Sequence, residues 1–95
     1  MIVVWQADAQ TDIIEILAYI AADNPSAAKR VVGKLREAGD SLAHFPERGR
    51  LGRILGTREL AITRPYIIVY EILPDASVAI LRVWHAAQLR RGPDA

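Results

Sequence analysis

Of the twelve basic side chains in this 95-residue chain, eight are arginines lying between Arg48 and Ala95, a half that holds no lysine. A guanidinium is a planar fork that meets phosphate or carboxylate through two parallel hydrogen bonds, so this half is suited to gripping an anion. The same arginine usage also follows from a GC-rich genome, and composition leaves both open. Three of the arginines, Arg48, Arg50 and Arg53, fall in the stretch ERGRLGRILG from Glu47 to Gly56. Glycine-rich backbone with interleaved arginines can wrap a phosphate, and a solvated loop leading into a hairpin has the same composition. Arg58, Arg64 and Arg82 recur across Gly56 to His85.

Proton transfer near neutral pH suits histidine, and the chain has only His44 and His85. His85, just beyond an apolar run, fits an ordinary strand-end residue as well as a proton shuttle. Its neighbour Trp84 could stack a base or sit partly buried in a sheet. With two histidines and no cysteine, no metal site or cofactor is expected, and His44 fits the C-terminal end of a helix better than a ligand set.

The elements that must position these side chains are legible in the spacing. Ile2 to Trp5 is a β-branched and aromatic run ending at Gln6, and reads as an opening strand. Asp8 offers an N-cap to a helix whose apolar stripe is Ala9, Ile13, Ile16, Leu17 and Ile20, with Asp12 and Glu15 outside it. Asn24-Pro25 ends that helix and starts another, because asparagine caps well and proline is tolerated in a first turn. The second helix carries Ala28, Val31, Val32, Leu35, Ala38 and Leu42 inward. Gly33 and Gly39 within it suggest close approach to the first helix. Pro46 forbids its continuation.

Three strands follow. Thr57 to Thr63 alternates as a half-exposed strand, Arg64-Pro65 turns it, and Tyr66 to Leu73 is continuously apolar, as a central strand covered on both faces reads. Pro74 to Ser77 turns again into Val78 to Trp84, with Val78, Ile80, Arg82 and Trp84 expected on one face and Ala79, Leu81 and Val83 on the other. Both faces are largely apolar, so the face the helices leave uncovered is expected to need a partner. The tail after His85 has weak helical character. The expected fold is α+β: a strand, a two-helix hairpin, then a three-stranded antiparallel meander.

At this length, residues 1–95 form one domain, and a composition that is 52% hydrophobic supplies its core without disulfides. No stretch approaches a membrane span or a signal peptide, so a cytoplasmic protein is expected. The net charge of +1 hides an asymmetry. Met1 to Glu47 has four basic residues against seven acids, and Arg48 to Ala95 has eight against four.

The ordered words YIAADNPSAAKRV, FPERGRLGR, GTREL, PYIIVYEI and ILRVWHAAQ resemble the RelE/ParE superfamily of toxins from type II toxin–antitoxin systems. They cover nearly the whole chain, and the NPSAA junction and the GTREL-to-LRVWH block are more similar to ParE-like members. The resemblance implies a hetero-oligomer with a cognate ParD- or RelB-like antitoxin, and operator DNA reached only through that antitoxin, since no helix-turn-helix word occurs here. It also implies a target, either DNA gyrase, trapped by binding alone, or the ribosome, where metal-free endonuclease members cut mRNA.

By position in the motif, Arg64, Arg82 and His85 match the catalytic residues of the endonuclease members. Arg50, Arg53 and Arg58 would then contact target or phosphate. As a binding toxin, the chain would use Arg58, Arg64, Arg82, Arg90 and Arg91 as surface contacts. Ala86 and Ala87 stand where several endonuclease members carry an aromatic residue, which favours the binding reading. Val78, Ile80 and Trp84 are expected to receive the antitoxin's aliphatic side chains.

Overall fold

The computed structural model describes residues 1–87. Eight elements follow in order: β1 (Ile2–Trp5), α1 (Ala7–Ala21), α2 (Pro25–Asp40), a 3-10 turn (Ser41–Ala43), β2 (Arg50–Leu51), β3 (Arg58–Ala61), β4 (Tyr66–Ile72) and β5 (Ser77–His85). They build one five-stranded sheet in the order β1-β5-β4-β3-β2. β3, β4 and β5 form the expected antiparallel meander. The opening strand returns to the sheet as well, parallel to β5, with Trp5 opposite Ile80. The short β2, lying within the arginine-rich loop, was not foreseen; its two residues carry no periodicity to read.

Helix starts follow capping chemistry, with one correction. Asn24 caps α2 as expected, its side chain accepting from the Ala27 N–H at 3.1 Å, with Pro25 in the first turn. α1 instead begins at Ala7 behind Gln6, and Asp8 lies inside its first turn, where a carboxylate favours the positive end of the helix dipole. Gly39 does allow a close approach, but to the first strand rather than the first helix. A Cβ there would collide with the Trp5 indole and come within 2.9 Å of Ile80. Gly33 faces open space.

The main core lies between the helical hairpin and one face of the sheet, built on Ile13, Leu35, Leu42, Ile68, Tyr70 and Ile80. Burying side chains of this kind contributes roughly 1.5–3 kcal/mol each. Leu17, expected in the inward stripe, is 37% exposed, and Ile14 beside it is 64% exposed.

A β-bulge corrects the reading of β5. Val69 pairs with Arg82 and Tyr70 with Ile80, so Leu81 is an extra residue and the side-chain alternation resets there. Val78, Ile80 and Val83 therefore share the helix side, and Trp84 packs on the opposite face with Ile67 and Val69. That second face is covered by the chain itself, through Ile54 from the arginine-rich loop and Ala86. Val78 and Ile80 have no exposed surface and Trp84 only 5%.

Candidate functional site

The end of β5 beyond Ile80 has no strand on its outer side, because β1 stops at Trp5 and the chain turns into α1. An open edge leaves backbone donors without partners. Asp12, on the second turn of α1, fills that gap, its carboxylate accepting from the Val83 N–H at 2.8 Å. The same carboxylate takes the Arg82 guanidinium as a fork, from Nε at 2.8 Å and from the Nη2 nitrogen at 2.9 Å. The guanidinium carbon also sits 5.0 Å from the Trp84 ring centroid, a cation–π distance. The bond to Asp12 chiefly raises the Arg82 pKa further above its ordinary value, against the opposing effect of burial. Asp12 is buried, not on the solvent side of α1 as its charge suggested.

Around this pair lies a cleft of about 500 Å³ between α1 and the ends of β4 and β5. Asp12, Glu15 and Tyr19 line its helical side, and Tyr66, Arg82 and His85 its sheet side. Exposed at the end of β5, His85 accepts from the Ala87 N–H through Nδ1 at 3.1 Å and meets Tyr66 edge-on, ring centroids 6.0 Å apart. Burial and the neighbouring Tyr19 raise the Tyr66 pKa above its ordinary value. Arg64 is exposed in the turn before β4, next to the Pro65 that forms part of the cleft wall. The structure thus gathers Arg82 and His85 and leaves Arg64 at the rim. Their surroundings are two carboxylates against one guanidinium.

The other candidates sit at the start of β3 and in the loop of residues 46–57. Glu59 on β3 is buried and organises it, with one carboxylate oxygen accepting from Arg50 at 3.0 Å and the other from the Arg53 backbone N–H at 3.0 Å. The fully buried Tyr70 hydroxyl accepts from the Gly49 N–H at 2.9 Å and donates to the Pro46 carbonyl at 2.7 Å. Arg58 donates to the Gly49 carbonyl at 2.8 Å. Arg58 is therefore a strut of the loop, while the Arg50 and Arg53 side chains are exposed. Burial is the main cause that raises the Tyr70 pKa. Arg90 and Arg91 lie outside the described residues. Among the described residues, no group of three or more His, Cys, Asp or Glu stands together as a metal site would need, and no helix is long and apolar enough to cross a membrane.

Comparison with known proteins gives a consistent set of relatives. Residues 3–90 match a family model described as the ParE toxin of a type II toxin–antitoxin system, parDE. Y4kP of Sinorhizobium fredii is 49% identical over 88% of this chain and 86% of its own. Toxin RelE2 of Caulobacter vibrioides is 45% identical over 92% of this chain and 97% of its own. Among solved structures, the chromosomal ParDE system of P. aeruginosa superposes with a TM-score of 0.77 at 24% identity, over 90% of this chain and 95% of that one. The RelBE2 toxin–antitoxin complex of Mycobacterium tuberculosis does so at 0.65 and 25% identity, over 88% and 95%.

Proposed function

The chain belongs to the ParE toxin family of type II toxin–antitoxin systems, and from that premise we propose that it acts by binding DNA gyrase, without chemistry of its own. The observation that carries this reading is the commitment of Arg82 to Asp12. Metal-free cleavage of RNA builds negative charge on phosphoryl oxygens, and a site that stabilises it presents cations whose hydrogen bonds are available at that moment. Here a buried carboxylate holds two of the five N–H donors of Arg82 and offsets its charge, and Glu15 adds a second negative charge to the same cleft. A phosphodiester entering it would meet repulsion as well as attraction.

A second reading is kept because one observation favours it. Arg82 and His85 do line one cleft with Tyr66, which is the residue chemistry of a metal-free ribonuclease, and the Caulobacter vibrioides relative carries the name RelE2. On that reading Asp12 would release Arg82 when the ribosome-bound message arrives. Purified chain added to a gyrase supercoiling assay and to ribosomes stalled on mRNA separates the two. Loss of supercoiling with intact transcript supports binding, and transcript cleavage with undisturbed supercoiling contradicts it.

The cognate antitoxin is assigned to the cleft beside α1. The second sheet face is already covered, whereas Tyr19, 78% exposed, lines the cleft from α1, and Ile14 and Leu17 leave further apolar surface elsewhere on that helix. Covering such surface is worth about 25 cal/mol per Å². Operator DNA is then reached through the antitoxin's own domain.

A further inference from the structure

At the far end of the sheet from that cleft, β2 is an edge strand of two residues in a loop that is rigidly built, and its exposed side chains are of two kinds. Arg50 leans on Glu59 across one face of the sheet, with the Arg53 backbone held by the same carboxylate. On the other side a groove of about 360 Å³ runs between Leu51, Leu55, Ile72 and Arg58. Leu51 is 77% exposed and Leu55 is 99% exposed. Nothing within the described residues pairs with the outer edge of β2.

We propose that this edge is a second protein-docking surface, and that its occupant is an extended segment of the toxin's protein target carrying carboxylates alternately with aliphatic side chains. A strand laid along an open edge sends successive side chains to opposite faces. Alternate carboxylates would then reach the Arg50 and Arg53 side, and alternate aliphatic groups would fill the leucine groove. A nucleic-acid backbone satisfies only the first half, because it has nothing to cover two exposed leucines. The loop is ready for such a partner: Tyr70, Arg58 and Glu59 hold its backbone. A Cβ at Gly49 would come within 2.8 Å of the Glu59 carbonyl oxygen and the Tyr70 ring, so its course admits no side chain there. This inference deepens the binding reading above and rests on it for the identity of the target, while the chemistry of the segment is independent of it.

The test places a photoreactive benzoylphenylalanine at position 55 of the full chain and irradiates it with purified DNA gyrase, and separately with ribosomes. The expected product is an adduct on a polypeptide segment that alternates acids with aliphatic residues. Leu51→Ser with Leu55→Ser should weaken target binding roughly tenfold without lowering the thermal midpoint, since both side chains are exposed. Arg50→Ser with Arg53→Ser should weaken it in a salt-dependent way. An adduct on DNA or ribosomal RNA overturns the proposal, as does a chain that binds its target with position 55 unlabelled. Such an adduct on a ribosomal protein would sustain the docking surface while refuting gyrase as the target, and binding to neither assembly overturns both.

Discussion

Asp12 ties α1 to the open edge of β5. Its carboxylate takes three hydrogen bonds, two from Arg82 and one from the backbone of β5. Asp12→Ala would leave a partly buried guanidinium and a strand-edge N–H without that acceptor, and such orphaned groups cost about 1–3 kcal/mol each. Chemical denaturation should show a loss of that order, and Asp12→Asn, which retains one acceptor oxygen, a smaller one. Equal stability of all three proteins would contradict the assignment. Tyr70 gives a pH signature. Its pKa is raised in the folded protein, so the neutral phenol favours folding below the unfolded value of about 10, and that contribution is lost as pH rises through the higher folded value. Stability measured across the alkaline range should fall less steeply in Tyr70→Phe, which should also start lower by about 1–3 kcal/mol from the orphaned Gly49 N–H. An identical alkaline slope in both proteins would remove Tyr70 as its source.

At the scale of elements, much was legible because local rules and tertiary packing agree. Asn24-Pro25 marked the helical junction, and the unbroken apolar run of β4 marked a central strand. What was missed has physical causes of its own. The Leu81 bulge leaves no mark on the alternation of Val78 to Trp84, yet it sends Trp84 to the face opposite Ile80. Asp12 was set outside the helical stripe by its charge, although it lies three residues from Ala9 and four from Ile16, which is an inward spacing. An acid at such a position demands a buried cation or donor, and that demand was the available signal. Glu59 poses the same problem on β3, where it faces Val69 across the sheet. Two substitutions test these local accounts. Gly39→Ala should destabilise by about 1–3 kcal/mol, because the added methyl group would overlap the Trp5 indole and crowd the fully buried Ile80. Ala76, held at a φ of 63° in the β4–β5 turn, should gain stability as Ala76→Gly, since the left-handed region costs an L-residue about 1–2 kcal/mol. Thermal midpoints moving the other way would refute either.

Across the whole molecule the two ends of one sheet carry different surfaces. The β5 end holds a cleft with an internal ion pair and apolar residues on the adjoining helix, and the β2 end holds arginines and exposed leucines on a braced loop. Action by binding is distinguished from cleavage at His85, because a proton shuttle has no part in binding alone. The measurement is growth arrest on induction of wild type and His85→Ala, with plasmid supercoiling and transcript integrity followed in the same cultures. His85→Ala is expected still to arrest growth and to disturb supercoiling as the wild type does, with transcripts intact. Ribosome-dependent transcript cleavage by the wild type that His85→Ala abolishes would contradict it.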